Sequence, residues 1–197
     1  MMPGGHLTTS LALAAATYYT TGSPEAAAGC VAGGFLIDVD HYLDYLVFEK
    51  QWRRPSPVSF LRYYFTNRPR KLVLPLHSFE LMTLLFGVIL AHPWPLLVGY
   101  WVGAAMHLTF DVLVNGEHEL SNAVAFYFFG YRMYNRFAAE NLMKDLVVHA
   151  EAGSEPVKDF FVRWRSRKEN HPLPVGDSSH PLPLGEGRVR VSSFEET

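Results

Sequence analysis

The chain has 197 residues, enough for one domain with a core of its own. Hydrophobic residues make up 49% and aromatics 14%, while charged residues reach only 18%, which leans toward membrane association. A formal net charge of -2 gives no field favouring nucleic acid, and the single cysteine excludes both a disulfide framework and a thiolate metal cluster.

The first predicted helix runs from about His6 to Thr20, before the turn Thr21-Gly22-Ser23-Pro24. A capping hydroxyl (Ser23), a first-turn proline (Pro24) and an early acid (Glu25) then start a second helix. It is expected to continue through GFLIDVDHYLDY to about Phe48, and its small-residue half suits close packing within a bundle. Both carboxylates of Asp-Val-Asp lie on one side only if the helix is broken there. No cleavable signal peptide is expected, because the start lacks a basic segment and His6 interrupts it.

A linker follows from Glu49 to Lys71, with Lys50, Arg53, Arg54, Arg62, Arg68, Arg70 and Lys71 against the single acid Glu49. Basic residues beside spans mark the cytoplasmic side. After Glu80 no Asp, Glu, Lys or Arg occurs until Asp111. That window allows two spans of roughly 20 residues each, Leu72 to Ala91 and Leu96 to Asn115, folding back at His92-Pro93-Trp94-Pro95. An amphipathic helix from about Asn122 to His149 returns Arg132, Arg136 and Lys144 to the linker's side.

The expected fold is therefore all-α: a membrane-embedded bundle of about four core helices plus the amphipathic helix, within residues 1–150. A short helical extension over 151–168 and a Pro-, Gly- and Ser-rich disordered tail over 169–197 complete the chain. His171 and His180 in that tail are discounted.

Ionisable groups interrupt the apolar helices at four places: His6; Asp38, Asp40, His41 and Asp44; His77 and Glu80; His107 and Asp111. Residues three or four apart share a helical face, so Asp38 pairs with His41, His77 with Glu80, and His107 with Asp111. Asp40 instead pairs with Asp44 on another face. Measured along each helix at about 1.5 Å per residue, all four places reach one layer near the cytoplasmic ends. Scattered core histidines have no reason to agree in depth, whereas buried charge must be paired or bound to a cation. Imidazole and carboxylate without sulfur suit a divalent ion in a hydrolytic site, Zn²⁺ foremost, with Mn²⁺ or Fe²⁺ as alternatives.

His6, GGFLIDVDH, His77-Ser78 and GAAMHLTFDVLVNG together resemble the bacterial membrane-bound metal-dependent hydrolase family. That family shows an early His, a Gly-rich run ending in Asp-x-Asp-His, a Thr-His-Ser motif and a final His-x-x-x-Asp. The resemblance spans about residues 1 to 116 and implies metal ligation by His6, Asp38, Asp40, His41, His77, His107 and Asp111. More distantly the series is similar to zinc-dependent phospholipase C, an all-helical phosphoesterase. Leu76 stands where the family usually has Thr, and Glu80 is an extra acid.

These readings lead to an integral hydrolase of the bacterial inner membrane, its site near the cytoplasmic face, acting on a phosphoester or lipid-like substrate. Metal-activated water would attack while Asp40 or Glu80 handles protons. The expected partner is membrane lipid, with no nucleic acid. The alternatives from other classes are an ion or proton transporter and a scaffold whose polar groups only lock helix packing.

Overall fold

In the computed structural model, residues 3–66, 69–115 and 120–144 are described. The expectations for 151–168 and 169–197 lie outside them. Among the described residues the chain is helical, with two isolated antiparallel bridges, Lys71 to Ala138 and Leu120 to Met143, and no strand. The helices are α1 (Pro3–Thr21), α2 (Pro24–Gly34), α3 (Val39–Phe48), α4 (Pro57–Thr66), α5 (Phe79–Ala91), α6 (Pro95–Phe110), α7 (Ala123–Phe126), α8 (Phe129–Tyr134) and α9 (Ala139–Leu142).

α1 and α2 form a hairpin through Gly22, whose φ of +66° suits a residue without Cβ. Ser23 caps α2 as expected: its hydroxyl accepts from the Ala26 N–H at 3.1 Å, with Pro24 at the first helical position. α2 then crosses α6 with backbones in direct contact. Gly29 and Gly33 on one helix meet Gly99 and Gly103 on the other, each pair four residues apart. A Cβ at Gly33 would overlap the Tyr100 carbonyl, and one at Gly99 would overlap the Ala26 carbonyl. This small-residue seam carries α6, and with it His107, to the end of α2.

Four expectations about elements are corrected. The helix expected to run to about Phe48 ends at Gly34, and a 3₁₀ turn (Leu36–Asp38) re-aims the chain before α3, the break that the Asp-Val-Asp spacing left open. The helix expected from Leu72 begins only at Phe79, where the Ser78 hydroxyl accepts from the Leu81 N–H at 3.2 Å. Pro75 and this cap leave residues 72–78 as a non-helical segment. The linker is not a plain loop, since it contains α4, whose Phe60 and Tyr63 pack on Tyr45 of α3. Finally, the amphipathic helix expected from Asn122 to His149 is, up to residue 144, three short helices. It is interrupted at Tyr127 and Phe128 and again at Arg136 and Phe137, the latter two both at φ +57°. Residues 145–149 lie outside the described ones.

The core lies where the 72–78 segment, α6 and α7 to α9 meet, around Ile37, Leu72, Leu74, Leu108, Phe126 and Leu142. One described helix, Pro95–Val114 (20 residues, α6 with the π-helical turn that continues it), is long and apolar enough to cross a membrane. α5 is apolar but has 13 residues, about 20 Å of helix.

Candidate metal centre

Six of the predicted residues converge. His6 comes from the first turns of α1, Asp38 from the 3₁₀ turn, His41 from α3, His77 from the segment before α5, and His107 and Asp111 from the end of α6. His6 Nε2 lies 3.0 Å from Asp111 Oδ1, and His107 Nε2 lies 3.1 Å from Asp111 Oδ2. His77 Nε2 lies 3.1 Å from His107 Nε2, and both sit 3.4 Å from Asp38 Oδ1. His41 Nε2 is the outermost, 4.0 Å from Asp38 Oδ1. Two adjacent triads have the spacing of a metal site: His6, His107 and Asp111, all buried, and Asp38, His41 and His77, more open.

The outward nitrogens of two histidines define what the inward ones can be. His107 Nδ1 lies 2.8 Å from the Gly34 carbonyl and His77 Nδ1 lies 3.0 Å from Asp40 Oδ2. A carbonyl and an ionised carboxylate only accept, so both Nδ1 atoms carry the proton and donate. A neutral ring in that tautomer presents a bare lone pair at Nε2. Two such lone pairs therefore face each other at 3.1 Å, ringed by the carboxylates of Asp38 and Asp111. Acceptors do not converge on acceptors unless a cation lies among them, either a proton or a metal.

The protonation of the metal-free site agrees. Burial alone would push the His77 imidazole down, but the Asp40 charge and hydrogen bonds with Asp38 and Asp40 reverse this and raise it to about 10. Burial favours neutral Asp38, yet the hydrogen bonds from His107 and His77 outweigh it and hold that carboxyl well below the usual range. His41, pushed down by burial and then by the His77 charge, is neutral. Because His77 has a folded value above its ordinary 6.5, its contribution to stability is complete below about 6.5 and is lost as pH rises through about 10. Metal-free protein should therefore show a falling melting temperature across that window. A flat profile there would count against a charged His77.

Asp40 and Glu80 do not take the expected places. Asp40 stands behind His77, with Oδ2 accepting from His77 Nδ1 and from the Leu76 N–H at 3.0 Å, and it is buried away from the ring of Nε2 atoms. Glu80, expected to pair with His77 on one helical face, accepts instead from the Phe129 and Gly130 N–H groups at 2.9 and 3.0 Å, opening α8. The predicted Asp40 and Asp44 face exists, but it holds backbone: Asp44 Oδ2 accepts from Val73 and Leu74 at 2.6 and 3.2 Å.

Sequence reasoning missed Arg132, fully buried, whose guanidinium donates to the carbonyls of Leu74, His77 and Phe126. A lone arginine inside the aromatic run FYFFGYRMY was the available signal. Asp38 and His41, with side chains 31% and 17% exposed, form the more open side of the cluster, where Tyr64 of α4 stands edge-on to His41. Comparison with protein-family models, with curated proteins and with solved structures finds no match.

Proposed function

We propose that this cluster binds a divalent metal, Zn²⁺ foremost with Mn²⁺ or Fe²⁺ as alternatives, and that the protein is a membrane-associated metal-dependent hydrolase. The carrying observation is the pair of opposed Nε2 atoms whose tautomers are set from behind by Asp40 and Gly34. Histidine ligands are commonly oriented by an acceptor on the other ring nitrogen. His6, His77, His107, Asp38 and Asp111 form the ligand set, with His41 completing the open triad, so two ions have places. Donors of nitrogen and oxygen without sulfur fit these metals.

Such an ion supplies charge stabilisation and the activation of water. The chain's own residues then have distinct tasks. Asp40 and the Gly34 carbonyl keep the two imidazoles aimed inward. Neither Asp40, turned to His77 Nδ1 and the Leu76 N–H, nor Glu80, turned to α8, is placed to pass protons at the cluster. The open side takes the substrate, a phosphoester or lipid-like molecule, while the buried triad excludes water.

Membrane attachment is supported by the apolar Pro95–Val114 helix and by exposed Leu84 and Leu90 on α5, Leu96 on α6 and Leu113 in the π-helical turn. Exposed Tyr18, Tyr19 and Trp94 gather at the hairpin ends remote from the cluster, as interfacial aromatics do. The basic residues between Lys50 and Lys71 support a site near the cytoplasmic face of a bacterial inner membrane. In a purely structural polar lock a proton on His77, donated to Asp38, takes the place of the metal, so metal content separates the two readings. A transport path would need polar groups through the far ends of α5 and α6, where His92 is the only ionisable group between Val88 and Val98.

Elemental analysis of gently extracted full-length protein tests this reading. The expected result is at least one equivalent of transition metal, with uptake weakening as pH falls because the histidines must shed protons. Protein that remains metal-free after incubation with Zn²⁺ at pH 8 would remove the hydrolase proposal.

A further inference from the structure

His77 is the one cluster histidine carried by a non-helical segment, and the means of holding that segment are visible on both sides. On one side α3 receives its N–H groups: Asp44 takes those of Val73 and Leu74, and Asp40 takes that of Leu76. On the other side Arg132 of α8 receives its carbonyls. Nη2 donates to Leu74 at 2.9 Å, and Nη1 donates to His77 at 2.9 Å and to Phe126 at 2.7 Å. Between these two supports Leu74, fully buried, sits at φ +44°, a left-handed conformation that a residue with a branched side chain avoids. Such backbone persists only where its surroundings over-determine it, and Arg132 grips the carbonyl of that very residue.

Arg132 is itself held in place. Glu80 anchors the first N–H groups of α8, and the rings of Phe126 and Phe129 lie 5.3 and 5.8 Å from the guanidinium carbon. We propose that Arg132 is a positioning residue for the metal centre: it clamps the 72–78 segment in the conformation that presents His77 Nε2 to His107 and Asp38. This deepens the metal-centre reading and rests on it. A planar guanidinium spans three carbonyls in a fixed geometry, which the point charge of lysine does not reproduce.

The test compares full-length wild type, Arg132→Lys and Glu80→Gln. Zn²⁺ affinity is read by competition with a chelator, together with the melting temperature and the histidine ring ¹⁵N spectrum of each metal-free protein. Arg132→Lys should lower Zn²⁺ affinity by about 10- to 100-fold, the range for groups that orient ligands. Glu80→Gln should act in the same direction by less than about 10-fold on the same scale, since glutamine keeps one acceptor oxygen. The His77 Nδ1 signal should move in both variants while that of His6 stays. A lower melting temperature with unchanged affinity and an unmoved His77 signal would overturn the proposal and leave Arg132 a packing residue. Should Arg132→Lys not fold, Glu80→Gln decides alone by the same criteria. Should wild type bind no Zn²⁺, the metal reading fails separately, and an unmoved His77 signal in the variants would still overturn the clamp.

Discussion

Asp111→Asn is expected to lower Zn²⁺ affinity by at least about 100-fold, beyond the top of the range for ligand-orienting groups, while leaving the helical content intact. Asp111 touches two histidines of the buried triad with separate oxygens, Oδ1 to His6 and Oδ2 to His107. Asparagine keeps the shape but removes the charge, and its NH₂ group directs a donor toward one of those rings. The divalent charge that the opposed imidazoles call for then lacks its deepest counter-charge. Isothermal titration of metal-free variant and wild type measures the loss. His92→Ala, on the loop between α5 and α6, serves as the comparison and should bind as wild type does. Equal affinity in Asp111→Asn and wild type would mean that the cluster is held together by protons alone.

Gly33→Ala should destabilise the protein by at least about 3 kcal/mol, the upper end of overpacking costs. The added methyl would overlap the Tyr100 carbonyl oxygen and lie 2.8 Å from the Ala104 nitrogen. Both are backbone atoms of α6, so no side-chain rotation relieves the clash, and the two helices must separate. Gly34, the next residue, supplies the carbonyl that fixes the His107 tautomer, so the separation also reaches the metal centre. Gly87→Ala provides the contrast. No atom stands within 4 Å of a Cβ there, and replacing a helix-interior glycine by alanine should stabilise by about 0.5–1 kcal/mol. Chemical or thermal denaturation of the two variants side by side separates a specific crossing from a general intolerance of glycine replacement.

Much of the centre was legible in the residues. Charged groups in apolar surroundings cannot be incidental, and simple counting along helices brought His6, Asp38, His41, His77, His107 and Asp111 to one layer, where the structure has them. The Ser23-Pro24 start of α2 and the Pro95 start of α6 were equally readable, because caps and prolines act within one turn. Helical spacing also separated Asp40 from Asp38. It did not reveal what Asp40 does, since its partners, Leu76 and His77, lie more than thirty residues away.

The sequence by itself thus determined which ionisable side chains come together, which segments bring them and which stretch of small residues suits close helix packing. Each of these depends on residue type and on spacing within a turn or two. Tertiary structure alone decided where elements stop and what each acid serves. Residues 72–78 leave the helix because Asp40, Asp44 and Arg132, from two distant elements, satisfy the backbone groups that a helix would have satisfied locally. Glu80 left the cluster for the same reason, drawn to the unpaired N–H groups that open α8. Long-range backbone hydrogen bonds leave no periodic mark in a sequence, and they are what turned a row of histidines into a centre with a front, a back and a clamp.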